Sequence, residues 1–254
     1  MSHFDPPVVL ASLSGRSDAD WALAAADYVG GAFLGGIALD EPTREAARSM
    51  VDRDRDEFLP PDPFAFVDDQ LAALDDRSLR AGFNVRAVES EALQRAAGIC
   101  DRHDAILEVN AHCRQAEICE TGAGQALLGR PEPLREQVAT AAEAGATVSV
   151  KVRTEVPGVD LPALSADLEA AGADLIHVDA MDSEAVVADV VAATECAVVA
   201  NNGVRDRETV GGYLADGADA VSVGRPSDDP AVLERVRDAT VEWFERDPRA
   251  EVEP

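Results

Sequence analysis

Lys151 is the only lysine among the 22 basic residues of this 254-residue chain, and it closes an apolar run, Thr147-Val148-Ser149-Val150-Lys151. A buried ammonium needs a counter-charge or a ligand. It can stabilise developing negative charge, or attack a carbonyl as an amine once its proton is shed. The chain has four asparagines, and all fall in or beside such runs: Asn84, Asn110, and the pair Asn201-Asn202. His177 lies inside another, Leu175-Ile176-His177-Val178. Asparagine and lysine are poor strand formers, so their collection here points to a polar binding pocket. Two further pairs, Asn202-Gly203 and Gly224-Arg225, each directly follow a run. Glycine lets backbone approach a ligand, exposed amides donate to an anion, and arginine adds a forked charge, which together suit a phosphate. Cys113 stands three residues past Asn110, where a thiol could deliver or remove a proton. His112, Cys113 and Cys119 are close enough to suggest zinc, but they lack paired Cys-x-x-Cys spacing, so no metal site is expected. Cys100 and Cys196 sit beside apolar runs and read as small buried side chains.

Something must hold these groups together. Eight short apolar runs alternate with helical stretches: Val8–Ala11, Gly31–Ile37, Ala81–Val85, Ala105–Val109, Thr147–Lys151, Leu175–Val178, Ala197–Ala200 and Ala220–Val223. Near-continuous apolar strands separated by helices imply a parallel sheet covered on both faces. Eight β-α units in this length fit an α/β fold of the closed (β/α)8 TIM-barrel type better than an open doubly wound sheet. The turns Ala144-Gly145-Ala146, Ala171-Gly172-Ala173 and Asp216-Gly217-Ala218 should end helices as left-handed caps just before strands. No Pro/Ser-rich linker divides the chain, so residues 1–254 are expected to form one barrel, with an acidic, proline-bearing insertion at about 52–63 after the second strand. In such barrels the C-terminal strand ends carry the chemistry.

The formal charge is −27, from 49 acidic against 22 basic residues. That surface does not suit a protein gripping nucleic acid or anionic membrane through basic patches. Acid excess with almost no lysine reads as a halophilic surface, hydrated by carboxylates and screened by salt. It predicts structure that weakens at low salt. No run is long and apolar enough to span a membrane, the amino terminus lacks a signal-peptide layout, and four cysteines make no disulfide framework. A cytoplasmic protein is expected.

In this order, the strand-end residues resemble the dihydrouridine synthases and related flavin-dependent barrel reductases of pyrimidines. The carrying segments are Ala11-Ser12-Leu13-Ser14-Gly15, Asn110-Ala111-His112-Cys113-Arg114, Lys151-Val152-Arg153, Asn202-Gly203 and Gly224-Arg225. The resemblance implies flavin mononucleotide (FMN) across the barrel mouth. Its phosphate would lie on Asn202, Gly203, Gly224 and Arg225, its ring on Ala11 and Leu13, with Asn84 and Lys151 at the ring edge. It further implies hydride transfer to a uracil-type ring, protonation by Cys113, orientation by Asn110, and substrate contacts from Arg153, His177 and Asp179. NAD(P)H is the implied reductant. The substrate would be tRNA uridine, with a partner protein supplying RNA recognition, or a free pyrimidine such as dihydrouracil or dihydroorotate. The sequence departs from the family after the sixth strand, where a His-x-Arg is replaced by Asp179-Ala180-Met181. Two further readings stay open: a Schiff-base lyase using Lys151, and a barrel that binds a ligand without turnover.

Overall fold

The computed structural model describes residues 3–75 and 77–246. Each expected run is a strand: β1 (Val8–Leu10), β2 (Gly31–Ala38), β3 (Arg80–Arg86), β4 (Ile106–Asn110), β5 (Thr147–Arg153), β6 (Leu175–Asp179), β7 (Ala197–Asn201) and β8 (Ala220–Val223). They pair in parallel, each with its sequence neighbours, and β8 closes on β1. The chain is a single-domain (β/α)8 barrel. Helices α1 (Ala19–Ala24), α2 (Glu41–Val51), α3 (Pro63–Ala72), α4 (Ser90–Arg102), α5 (Ala116–Thr121), α6 (Pro131–Glu143), α7 (Leu161–Ala170), α8 (Val186–Ala193), α9 (Arg207–Ala215) and α10 (Pro230–Arg246) lie between and after the strands. No helix of the described residues is long and apolar enough to cross a membrane.

Local chemistry sets the boundaries. Asp160 caps α7 by accepting from the Ala163 amide, and Asp206 with Thr209 closes a reciprocal capping box on α9. Gly145, Gly172 and Gly217 follow α6, α7 and α9 at φ 94°, 106° and 94°, the left-handed turn expected from sequence. Packing divides into layers. Valine and leucine side chains of the strands meet the helices in one large outer core. Inside the barrel, Phe4, Val9, Phe33, Ile106, Leu175, Val199 and Ala220 form a separate apolar floor at the N-terminal end.

The β2–β3 connection departs from the simple repeat. It contains two helices, and the acidic stretch expected as an insertion links them. α2 packs on α5 and the turn after it through Ala46, Met50, Ile118 and Ala123. Residues 52–62 then return to the strand ends, where the Glu57 carboxylate pairs with Arg86 at the end of β3. Phe58 packs on Phe66 of α3 with ring centroids 5.1 Å apart. In β2 the register shifts between Gly35 and Ile37. A Cβ on Gly35 would lie 2.4 Å from the Phe83 ring at a φ of 85°, so no larger residue fits.

Candidate functional site

Just above the apolar floor the barrel interior turns polar, because strand residues two apart share a face. Glu108 of β4 lies fully buried at the centre. Asn84 Nδ2 donates to its Oε1 at 2.7 Å, Ser149 Oγ to its Oε2 at 3.2 Å, and His177 Nδ1 to the same Oε2 at 2.7 Å. Ser222 Oγ lies 2.8 Å from His177 Nε2, and Asn201 Nδ2 donates to Ser222 Oγ at 2.7 Å. Polar side chains of six strands are thus joined in one network. Burial works to raise the Glu108 carboxyl, but the adjacent His177, Lys151 and Asn84 outweigh it and hold the group below its ordinary value. Burial lowers His177, with Lys151 adding to that and Glu108 opposing. The imidazole is therefore neutral, with its Nδ1 proton given to the carboxylate and its Nε2 accepting from Ser222.

One step nearer the mouth, Asn110 acts as a bracket. Its Nδ2 donates to Asn84 Oδ1 at 2.8 Å, while its Oδ1 accepts from the amides of His112 (3.2 Å) and Cys113 (2.9 Å). The turn after β4 is fixed by these bonds. They send the two neighbouring side chains different ways. His112 reaches across the strand ends, Nε2 lying 2.5 Å from Asp179 Oδ2 at the end of β6. Cys113 is half-buried and packs against the Ala46, Met50, Ile118 and Ala123 cluster of α2 and α5.

Between them β5 brings up two cations. Lys151 and Arg153 are 3 % and 7 % exposed, and neither has a hydrogen bond or ion pair among the described residues; Arg153 Nε is fully enclosed and orphaned. Burial lowers the Lys151 amine, although Glu108 and Asp179 act against that. Burial would raise Asp179, but His112, Lys151 and the Met181 amide hold it low. Buried donors are nearly always paired, and two cations side by side with free donors can hold an anion.

The β7–β8 sector is open. Asn202 and Gly203 turn at φ 96° and 69°, with Tyr213 Oη donating to the Asn202 carbonyl at 2.8 Å. A Cβ on Gly224 would meet nothing within 4 Å, and on Gly203 only the tip of Arg205 at 4.0 Å. Arg225 is exposed at the start of a short 3-10 turn, Arg225–Asp228. Ala11 is buried, its amide joining β1 to the Val223 carbonyl of β8. Leu13 is half-buried in a turn tied by Ser17 Oγ. Among the described residues, no three His, Cys, Asp or Glu side chains converge as a metal site.

The structure therefore gathers Asn84, Asn110, Lys151, Arg153, His177 and Asp179 in one mouth, with the open glycines of β7 and β8 on the same rim. Glu108, Ser149 and Ser222 were not singled out from sequence, although the alternation Glu108/Asn110 and Ser149/Lys151/Arg153 carried the signal. Glu57 had none, being one carboxylate in an acidic stretch.

No family model matches the chain. An uncharacterized protein of Methanocaldococcus jannaschii is 31% identical over 156 residues, which make up 60% of this chain and 60% of that protein. The matched region thus falls short of two thirds of that relative. Among solved structures, the tryptophan synthase complex of Pyrococcus furiosus superposes at a TM-score of 0.62 and 13% identity, covering 95% of this chain and 100% of that one. An oxidized active mutant of (S)-mandelate dehydrogenase superposes at 0.58 and 13% identity, covering 94% of this chain and 74% of that one. At such identity the likeness establishes the barrel fold alone.

Proposed function

We propose that this barrel is an FMN-dependent oxidoreductase acting on a uracil-type ring. The observation that carries the reading is the pair of buried cations Lys151 and Arg153 at the end of β5, neither hydrogen-bonded to another described residue. The residues fit a flavin. Gly203 and Gly224, where the backbone is open, would hold the cofactor's phosphate with Arg225. Ala11 and Leu13 would offer an apolar edge and Lys151 a positive charge, while Asn84 is enclosed in the Glu108 network and supports the site from beneath. Bound flavin would supply two-electron chemistry. The side chains do the rest: Lys151 and Arg153 attract an electron-rich ring edge, and Asn110 fixes the turn that carries His112 and Cys113. The resemblance gives Cys113 the proton for the ring. A dehydrogenase on the same fold makes redox chemistry there unexceptional.

The acceptor is tRNA uridine or a free pyrimidine, with NAD(P)H as the reductant. The charge of −27 means that tRNA would require a partner protein to supply basic surface. The first test is the visible absorption spectrum of protein purified in high salt, with any released chromophore identified. FMN in the protein supports the reading. A colourless protein that refuses added FMN would overturn it.

A second reading is a lyase in which Lys151 forms a Schiff base. The observation favouring it is the lowered amine, which burial keeps nearer its nucleophilic, uncharged form. Borohydride with a carbonyl substrate should then leave a covalent adduct on Lys151, and no flavin would be found.

A further inference from the structure

We infer that His112 is the acid–base residue of this mouth, with Asp179 as the positioning residue that fixes its tautomer. The inference rests on the proposed uracil-type substrate for its choice of probe.

The geometry runs through three contacts. The His112 backbone is held by Asn110 Oδ1, so the ring leaves the β4 turn in a set direction. Its Nε2 meets Asp179 Oδ2 at 2.5 Å, so Nε2 keeps the proton and Nδ1 keeps the lone pair. Nδ1 has no hydrogen bond among the described residues, and the side chain is 32% exposed, enough to meet a ligand and to exchange protons with water. A carboxylate-held imidazole with one free nitrogen is the arrangement a general base needs. Cys113, one residue along, packs instead into the α2–α5 cluster.

The surroundings suit one proton transfer in particular. In a 5,6-dihydropyrimidine, the C5 hydrogens lie beside the C4 carbonyl. Nδ1 takes a proton from C5, the C–H electron pair moves toward the carbonyl oxygen, and an enolate forms against Lys151 and Arg153. Return of a proton from the imidazolium to C5 reverses the step. In the reducing direction, bound reduced flavin would supply hydride to C6, and His112, after taking a proton from solvent at its exposed edge, would deliver that proton to C5. The charged and titratable groups acting on His112 are Asp179 of β6, Lys151 and Arg153 of β5, and His177 below. Burial, with Lys151 and Arg153, lowers its imidazole below the ordinary 6.5, while Asp179 opposes. The ring is therefore a neutral base at pH 7.

The step can be followed without cofactor. Full-length protein stripped of chromophore is incubated in D2O with 5,6-dihydrouracil or dihydroorotate, and loss of the C5 proton signal is read by NMR. The wild type should exchange one of the two C5 protons, because a fixed base reaches one face. His112→Gln should slow exchange about 100-fold, with part of the rate returning on addition of free imidazole. Asp179→Asn should slow it about tenfold and move the midpoint of the pH profile lower, because the carboxylate that raises the imidazole is gone. Exchange unaffected in His112→Gln, loss in Cys113→Ser but not in His112→Gln, or no exchange by wild type would each overturn the inference. FMN titration of the same samples separates the two claims. Flavin binding without His112-dependent exchange overturns this inference and leaves the flavin reading intact. His112-dependent exchange in a protein that refuses flavin does the reverse.

Discussion

Two buried cationic positions on the barrel rim are completed in opposite ways. At the end of β3, Arg86 is enclosed, and its guanidinium donates to the Glu57 carboxylate, the Gly36 carbonyl and Ser14 Oγ. At the end of β5, Lys151 and Arg153 are almost equally enclosed and donate to nothing among the described residues. Both positions carry the cost of desolvating a cation. In the first the chain supplies its own counter-charge, and the pair clasps residues 52–62 onto the strand ends. In the second, Glu108 and Asp179 act on Lys151 electrostatically, but no carboxylate among the described residues is hydrogen-bonded to either cation, so their donors stay free. The contrast separates a charge tied into the fold from charges whose donors remain free.

Glu57→Gln should have the largest effect on stability, since it leaves Arg86 buried without a counter-charge. A loss of about 3–5 kcal/mol is expected in chemical denaturation. A loss within experimental error would mean that Arg86 is satisfied by Gly36 and Ser14 alone, and the contrast would narrow. Arg153→Met removes an equally buried cation yet breaks no hydrogen bond, so stability should change by no more than about 1 kcal/mol. The same variant should weaken binding of orotate, a carboxylate-bearing pyrimidine, by about tenfold or more, or about 1.4 kcal/mol. Large destabilisation with unchanged orotate binding would place Arg153 with Arg86 as a structural charge.

The smallest effect concerns pH. Folding lowers His177 below the ordinary 6.5, so the unfolded chain binds the proton more readily. That stability is present above 6.5 and is lost as pH falls from 6.5 toward the folded value. Glu108 is lowered from 4.5, so its contribution is present above 4.5 and disappears as pH falls through its lower folded value. Acid should thus erode stability in two steps, read as thermal midpoints across pH. His112 is lowered likewise and shares the first step, so His177→Asn should shrink that step without removing it. A first step of unchanged size would assign it to another group.

Much of this was legible in the chain. The eight apolar runs are the eight strands, because strands covered on both faces need continuous apolar sequence. The scarce polar residues Asn84, Asn110, Lys151 and His177 mark the mouth, since their placement in strands runs against propensity. Other features were hidden. Cys113 and His112 are adjacent in a turn, and nothing local says which side chain faces the ligand. Asn110 holds both amides, while the thiol packs on the α2–α5 cluster and the imidazole meets Asp179. Glu57 stands 29 positions from Arg86, in a stretch where other carboxylates offer the same charge.

The sequence by itself determined the strands, their order and the polar character of the strand ends, because period and composition act over a few residues. Which charges cancel and which stay open was decided only by tertiary structure. Closing the barrel brings Glu108 to His177 and His112 to Asp179 across 69 and 67 positions. It buries Lys151 and Arg153 with no hydrogen bond to another described residue. Pairing in a low-dielectric interior depends on distances of a few ångströms, and those distances exist only once the sheet has closed.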